Sequence, residues 1–151
     1  MSIASYVTGF ADGEGCFSVS FSLREKMRYG IEIRPSFSVS QHKRNKDIIL
    51  FLQSFFRCGG VRFSKRDQNY KFEVRSIDDL IKIVIPHFDQ NPLKTSKQKD
   101  FENFKQICRL IRSNQHLSQS GIVKIVNLAN EMNESGKRKY SKEDLLKIAA
   151  R

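Results

Sequence analysis

The pattern of apolar and polar positions changes its period at residue 15. Apolar residues recur at the spacing of one helix face from residue 3 to residue 10, whereas apolar and polar residues alternate from residue 16 onward. Between the two patterns, Gly13 and Gly15 flank Glu14, which suits a sharp exit from the helix and leaves the carboxylate open to a ligand. The alternative interpretation is an ordinary capped helix followed by a turn. Thr8 and Gly9 give this helix a small-residue face on which a second helix could pack.

The order of one helix and two strands then occurs twice. Alternation predicts strands at residues 16–24, 31–40, 61–64 and 71–75, with turns at residues 25–30 and 67–69. Helical spacing predicts helices at residues 45–56, 77–88, 96–113, 118–132 and 141–149. This αββαββα order predicts an α+β fold with one four-stranded antiparallel sheet and helices over a single face.

The length of 151 residues fits one domain with its own core. We expect a single domain at residues 1–132, followed at residues 133–151 by a polar linker and a short C-terminal helix. The linker carries the basic run Lys137, Arg138 and Lys139. These last residues are the part of the chain that the repeated pattern does not explain.

The second face of the predicted sheet is polar. It collects Cys16, Ser18, Ser20, Ser22, Arg24, Glu32, Arg34, Ser36, Ser38, Ser40, Arg62, Ser64, Lys71, Glu73 and Arg75. Hydroxyls, arginines, a lysine and acids can contact base edges and phosphates, and a two-stranded ribbon fits a major groove. The alternative is the solvated face that any antiparallel sheet can have.

The net charge favours the nucleic-acid interpretation. Lys and Arg number 27 against 16 acids, which gives +11, and a domain this basic most often binds a polyanion. Further cations stand at the strand ends: Lys26, Arg28, Lys43, Arg44, Lys46, Lys65 and Arg66. We find neither an apolar run long enough for a membrane span nor a signal peptide, and expect a soluble intracellular protein without a membrane partner. Three separated cysteines argue against a disulfide framework and against structural zinc.

Residues 7–15, Val-Thr-Gly-Phe-Ala-Asp-Gly-Glu-Gly, resemble the LAGLIDADG motif of homing endonucleases. The match is carried by Gly9, Phe10, Asp12, Gly13, Glu14 and Gly15, and is looser at Val7, Thr8 and Ala11. In that family the acid at the Glu14 position binds a divalent metal, and the acid at the Asp12 position is usually structural. The resemblance extends over residues 5–132.

Two further segments resemble the family. Residues 37–44 match the end of its second strand, where the residue at the Gln41 position helps to order a water in the active site. His42, beside two cations, fits a surface role better than a catalytic one. Residues 92–99 match the segment in which a lysine approaches the scissile phosphate; Lys97 is the preferred match and Lys94 the alternative.

The chain holds one copy of the motif, whereas cutting both strands of a duplex needs two sets of Glu14, Gln41 and Lys97. We therefore expect a homodimer packed through this helix. The predicted interface consists of Val7, Thr8, Gly9, Phe10 and Asp12. Each Glu14, with the Gly13 carbonyl as an extra ligand, would hold Mg²⁺, which Mn²⁺ can replace. The resemblance implies double-strand DNA cleavage with short 3′ overhangs, and twofold symmetry implies a near-palindromic target on a saddle of two sheets.

Three alternatives remain open at this point: a maturase that binds intron RNA, an inactive DNA-binding regulator, and one half of a longer two-motif endonuclease. The resemblance also points to an organelle-encoded, mitochondrial intron protein similar to fungal members.

Overall fold

Helices and strands follow one another in the predicted order in the computed structural model, which describes residues 2–132 and 139–151. The strands are β1 (Gly15–Leu23), β2 (Ile31–His42), β3 (Gly60–Ser64) and β4 (Asn69–Val74). The helices are α1 (Ile3–Glu14), α2 (Lys46–Phe56), α3 (Ile77–Asp79), α4 (Ile85–Gln90), α5 (Lys97–Arg112), α6 (Gln119–Asn130) and α7 (Lys142–Ala149). Short 3₁₀ turns cover Lys43–Asn45 and Gln115–Leu117. Residues 133–138 of the predicted linker, with Lys137 and Arg138, lie outside the described residues.

The four strands form one sheet in the order β1-β2-β4-β3, so that β2 and β4 are the inner strands. β4 runs antiparallel to both neighbours, with Val39 opposite Phe72 on one side and Val61 opposite Phe72 on the other. The α+β class and the four-stranded antiparallel sheet are confirmed. Among the helices of the described residues, none is long and apolar enough to cross a bilayer.

The chain divides into two compact units. The first contains residues up to 17 together with residues 36–98, and an aromatic cluster forms its core. The ring of Phe37 lies 5.1 Å from Phe17, 5.8 Å from Phe56 and 5.3 Å from Phe88, measured between centroids. These side chains come from strands β1 and β2 and helices α2 and α4, so both helices pack on the apolar side of the sheet.

The second unit contains residues 18–35 and the described residues from 99 onward. Helices α5 and α6 bury one apolar face each, and α7 buries Leu145 and Ala149. Cys108 is also buried, which raises the pKa of its thiol to about 12. A thiol with so high a pKa stays protonated and behaves as a small apolar side chain.

Two details differ from the sequence-based expectation. The predicted helix at residues 77–88 contains a π-helical turn, Leu80–Val84, between α3 and α4. This wider turn precedes Pro86, which has no N–H to donate and whose ring would collide with the Lys82 carbonyl in regular α geometry. Phe63, which alternates with the polar-face residues Arg62 and Ser64, is nevertheless 41% exposed because β3 is an edge strand; its ring packs on Tyr70 at 4.8 Å between centroids.

Candidate active site and nucleic-acid interface

Glu14 is the last residue of α1, and its side chain is exposed. The strand β1 begins at the next residue, which must be glycine, because a β-carbon at Gly15 would lie 2.7 Å from the Ala11 carbonyl oxygen. The tight exit therefore places a carboxylate at the negative end of the helix dipole. Two negative groups at one point attract a cation.

Lys97, at the start of α5, reaches the same end of α1. Its Nζ donates to the carbonyl oxygens of Ala11 at 3.1 Å and Asp12 at 2.9 Å. These carbonyls belong to the last turn of the helix, where intrahelical donors run out. The Lys97 ammonium group thus lies at the backbone of Asp12, two residues before Glu14. No side-chain contact of the alternative lysine, Lys94, to this helix end is present among the described residues.

Asp12 connects α1 to the segment that leads into α5. Its carboxylate accepts the backbone N–H of Lys94 at 2.7 Å, the N–H of Thr95 at 3.2 Å and the Thr95 hydroxyl. Burial alone would raise the pKa of Asp12, but these hydrogen bonds and the nearby Lys97 charge outweigh it and lower the pKa. The oxygens of Asp12 are engaged within the chain, which agrees with a structural role.

Gln41 stands near the end of β2. The antiparallel hairpin brings this end beside the first residues of β1, since the rings of Phe17 and Phe37 lie 5.1 Å apart. Glu14, just before β1, and Gln41, near the end of β2, therefore lie at the same end of the two strands. The Gln41 side-chain oxygen Oε1 accepts a hydrogen bond from the Asn45 side-chain amide at 3.2 Å. His42 Nδ1 accepts from the Arg44 backbone N–H at 3.2 Å, which is a cap rather than a metal contact.

The described residues contain no cluster of three or more His, Cys, Asp or Glu side chains that could hold a metal ion. At this end of α1, one chain supplies the exposed Glu14 carboxylate with the Gly13 carbonyl next to it. Mg²⁺ commonly takes only one or two carboxylates and completes its shell with waters and substrate phosphates. The donor set fits Mg²⁺ when a second copy and a phosphate backbone contribute the remaining oxygens.

Glu73 organises the polar face of the sheet in the first unit. Its Oε2 accepts from the Ser36 hydroxyl at 2.7 Å and lies 3.6 Å from Lys71 Nζ, while Oε1 lies 3.3 Å from Arg62 and 3.7 Å from Arg75. Burial raises the pKa of Glu73, but Ser36 and the three cations outweigh it, and the pKa is lowered. The acid stays ionised and holds three cationic side chains on this face.

Two of the predicted base contacts on this face need correction. Ser36 and Ser38 are only 6% and 8% exposed. Both lie on the inner strand β2, where Glu73 stands directly opposite Ser38 and covers Ser36. The Ser36 hydroxyl donates to Glu73, and both serines are too buried to read a base.

The polar face of the second unit is built around Glu32. Arg24 Nε lies 2.6 Å from Glu32 Oε2, and Arg34 contacts Oε1 through Nη2 at 3.0 Å. The hydrogen bond from Arg34, together with the Arg24 charge, lowers the pKa of Glu32. Ser20 donates to the Arg34 carbonyl at 3.4 Å. Both arginines remain partly exposed, so each can exchange this acid for a ligand.

The other predicted contacts reach solvent. Cys16, Ser40, Arg62 and Arg75 are exposed, and Ser18, Ser22, Ser64 and Lys71 are partly exposed. Each of them lies on or beside one of the four strands. They stay candidates for DNA contact.

Comparison with known proteins agrees with this geometry. The LAGLIDADG endonuclease profile matches residues 7–108, which include Glu14, Gln41 and Lys97. The chain belongs to the LAGLIDADG endonuclease family. The resemblance inferred from the motif is thereby confirmed.

Individual LAGLIDADG relatives show how length varies. A Neurospora crassa protein named probable intron-encoded endonuclease 2 is 33% identical over 128 residues, which are 85% of this chain and 27% of that protein. The crystal structure of the homing endonuclease I-TnaI matches with a TM-score of 0.85 and 36% identity, over 99% of this chain and 97% of that one. I-SmaMI, bound to an uncleaved DNA target in the presence of calcium ions, matches with a TM-score of 0.86 and 31% identity, over 92% of this chain and 47% of that one. The chain spans about a quarter of the first curated relatives it matches.

The surface of the LAGLIDADG helix α1 differs from the predicted interface. Val7 and Thr8 are buried in the chain's own core, at 0% and 6% exposure, and cannot meet a partner. Thr8 donates its hydroxyl to the Asn91 carbonyl at 2.9 Å, so His87 Nε2, 3.0 Å away, is the donor to Thr8. The sequence could not distinguish the two sides of this helix, because both carry apolar residues. Asp12 is likewise engaged within the chain.

The opposite side of α1 is uncovered. A β-carbon at Gly9 or at Gly13 would have no neighbour within 4 Å, so the backbone is open to close approach. Around the two glycines, Ile3 is 62% and Tyr6 46% exposed, and Phe10 is half-buried. Tyr6 continues the surface to Phe51 of α2, with the rings 6.3 Å apart. The exposed ends of Ile3, Tyr6 and Phe51 were missed, although Ile3 and Tyr6 lie within the helical pattern.

Proposed function

We propose that two copies of this chain assemble into a homing endonuclease that cuts both strands of a double-stranded DNA site. Each copy would contribute Glu14, with the Gly13 carbonyl, to bind Mg²⁺ or Mn²⁺ at the scissile phosphates. The observation that carries the proposal is the exposed Glu14 at the end of α1, directly after the open Gly9 and Gly13 face. Hydrolysis across the minor groove would leave short 3′ overhangs.

The open face of α1 supports a second copy as the partner. Small residues at Gly9 and Gly13 allow two helix backbones to approach closely, while Ile3, Tyr6 and Phe10 supply apolar area around them. A twofold axis along this face would bring the two Glu14 residues together, since each stands one residue beyond Gly13. The sequence holds one set of Glu14, Gln41 and Lys97, and it covers 97% of the I-TnaI chain and 47% of the I-SmaMI chain.

Lys97 is placed to act on the reacting phosphate. An ammonium group has three N–H donors, of which two bind the Ala11 and Asp12 carbonyls. The remaining donor can bind a phosphate oxygen or orient the attacking water, where it would stabilise developing negative charge. Gln41, at the same end of β1 and β2 as Glu14, can orient that water. A bound Mg²⁺ supplies Lewis acidity at the phosphate.

The polar sheet face supports recognition of a long DNA site. Arg62 and Arg75 around Glu73, and Arg24 and Arg34 around Glu32, are pre-ordered cations that can exchange the acid for guanine or phosphate. In a symmetric dimer each half-site would be read by the same residues. The target is then near-palindromic.

A plasmid-library cleavage assay tests the proposal. We expect wild-type protein to linearise plasmids carrying near-palindromic sites with Mg²⁺ or Mn²⁺, and to bind them without cutting in Ca²⁺. Glu14→Gln should keep DNA affinity and lose cleavage. The matched control is Glu131→Gln, another exposed carboxylate at a helix end, and should cut normally. Cleavage by Glu14→Gln at the wild-type rate would refute the metal assignment.

The oligomeric state is measured in parallel. By light scattering, the free dimer should have twice the chain mass of 17.5 kDa, and the DNA complex should have that protein mass plus the mass of one duplex. A monomeric mass in the cleaving complex would refute the symmetric assembly. Binding and cleavage of DNA, with no stimulation of intron splicing, would exclude the maturase role.

We also propose a mitochondrial origin for the chain. The support is its similarity to the intron-encoded endonuclease of Neurospora crassa. Detection of the protein in purified mitochondria of its host tests this assignment.

A further inference from the structure

The turn between β1 and β2 is packed against the C-terminal part of the chain, beyond the family match that ends at residue 108. The turn is closed by hydrogen bonds from the Arg24 N–H to the Gly30 carbonyl at 2.9 Å and from the Gly30 N–H to the Met27 carbonyl at 2.9 Å. Gly30 has a φ of 75°, a conformation that suits glycine. Its open side faces α7, since a β-carbon placed on Gly30 would stand 3.4 Å from Ile148 Cγ2, an ordinary van der Waals distance.

A cavity separates another part of the turn from the 3₁₀ turn Gln115–Leu117. Met27, Arg28, Tyr29 and Ile31 from the turn and β2 face His116, Leu117 and Ile122 across a cavity of about 270 Å³. Burial lowers the pKa of His116, so its imidazole is neutral at pH 7. The wall opposite the turn therefore carries no charge of its own.

The helices behind the turn are held to one another. Gln119, the first residue of α6, donates its side-chain amide to the carbonyl of Ala149 at the end of α7, at 2.9 Å. The 3₁₀ turn Gln115–Leu117 sits directly on α6, because a β-carbon at Gly121 would overlap the Gln115 carbonyl at 1.7 Å. The 3₁₀ turn, α6 and α7 thus form one support.

The supported turn carries cations at its tip. Arg24, Lys26 and Arg28 are exposed, and the Arg28 guanidinium lies 5.5 Å from the centre of the Tyr29 ring. These cations stand at the end of a two-stranded ribbon whose polar face holds Arg34. A ribbon in the major groove brings its tip to the phosphate backbone at the groove edge.

We propose that α7 and the 3₁₀ turn position the β1–β2 turn so that Lys26 and Arg28 bind backbone phosphates of the DNA. Ile148 is the main positioning residue. This role rests on the proposed endonuclease function. An unsupported turn of this length would have to be ordered on binding, whereas the supported turn is ordered beforehand and loses less conformational freedom.

The expected effect follows from the salt dependence of phosphate contacts. Each phosphate contact contributes about 0.9 to the magnitude of the slope of log K against log salt. One contact therefore makes binding about fivefold tighter at about 0.15 M salt than at about 1 M salt. Ile148→Ala removes the side-chain methyl group of α7 that faces Gly30. We expect the Kd to rise about five- to tenfold and the magnitude of the salt slope to fall by about 0.9, the share of one phosphate contact. The kcat at saturating DNA should be unchanged.

A double-mutant cycle separates positioning from general destabilisation. Ile148→Ala is combined with Lys26→Ala and Arg28→Ala, and the Kd and salt slope are measured for each variant. We expect Ile148→Ala to have no further effect once both cations are absent. Ile148→Val should behave as wild type, and Lys147→Ala, an exposed neighbour on α7, is the matched control. The proposal would be overturned if Ile148→Ala raised the Kd as strongly in the Lys26→Ala, Arg28→Ala background as in the wild type. It would also be overturned if Ile148→Ala alone left the Kd unchanged.

Gln119→Ala provides a second variant should Ile148→Ala fail to fold. This substitution removes the hydrogen bond between α6 and α7 without opening the core. We expect a smaller rise in Kd and a smaller decrease of the salt slope than in Ile148→Ala. Unchanged binding in a folded Gln119→Ala with a loosened α7, detected by hydrogen exchange, would contradict the positioning role. A wild-type protein that binds no DNA would overturn the proposed function as well, so the two failures are distinguishable.

Discussion

Asp12 offers a quantitative test of how α1 is locked to the segment before α5. In Asp12→Asn the side chain keeps its shape, but only one oxygen remains to accept from the N–H groups of Lys94 and Thr95 and from the Thr95 hydroxyl. Hydrogen bonds to a charged acceptor contribute about 1.5 to 3 kcal/mol each. Because the site is partly open to water, we expect a loss of about 2 kcal/mol.

The assay is thermal unfolding followed by circular dichroism. For a chain of 151 residues, a loss of about 2 kcal/mol lowers the Tm by about 4 to 8 °C. Asp67→Asn is the control: its carboxylate is 58% exposed, 3.8 Å from Arg66, and we expect a change below about 0.5 kcal/mol.

The dependence on pH gives the test its sign. The pKa of Asp12 is lowered in the folded protein, so its stabilisation is complete above the unfolded pKa and is lost as the pH falls through the folded one. The Tm difference between wild type and Asp12→Asn should therefore narrow below about pH 4. Two results would refute the stabilising role of the Asp12 hydrogen bonds. One is no Tm difference between wild type and Asp12→Asn at pH 7, and the other is a Tm difference that stays constant from pH 7 to pH 3.

Three further predictions concern assembly, recognition and stability. Tyr6→Asp places a charge on the open face of α1 and should convert the proposed dimer to a monomer in light scattering, with cleavage lost; an active dimer would contradict the proposed interface. Arg75→Ala should relax sequence preference in the cleavage assay, whereas Lys65→Ala should weaken all DNA similarly and reduce the salt slope by about 0.9; identical effects would defeat the groove-reading assignment. Burial lowers the pKa of His87, so the free energy of unfolding should decline as the pH falls below about 6.5 and the imidazole gains a proton. Denaturant unfolding measures this free energy, and an equal pH dependence for wild type and His87→Gln would contradict the contribution of His87.

The order of elements was predictable because the period of the apolar pattern changes at each boundary. In β2, the residues that alternate with the predicted polar face, Ile31, Ile33, Phe37 and Val39, are buried. Side-chain period and strand geometry are both local properties, so a single sequence carries them.

The environment of each face was harder to predict. Ser36 and Ser38 lie on the polar face as expected but are covered, because the strand order places Glu73 beside them. On α1, the side that carries Val7 turned inward and the side that carries Tyr6 remained open. In both cases the outcome depends on partners distant in sequence, which periodicity does not contain.

Lys97 illustrates how the structure narrows a motif. The sequence left the spacing between Lys94 and Lys97 ambiguous. The contacts of Lys97 Nζ with the Ala11 and Asp12 carbonyls favour Lys97 as the lysine beside Glu14. Its catalytic role stays a prediction that Lys97→Met can test by kcat at saturating DNA.

The central claim is that two Glu14 carboxylates, one from each copy, hold the metal ions at the scissile phosphates. A crystal structure of the DNA complex grown with Mn²⁺ tests it most directly, because the anomalous signal locates the ions. We expect peaks about 2.1 Å from the Glu14 oxygens of both copies, at the paired ends of α1. Two Glu14 side chains that lie far apart, with no ion beside either, would contradict the account.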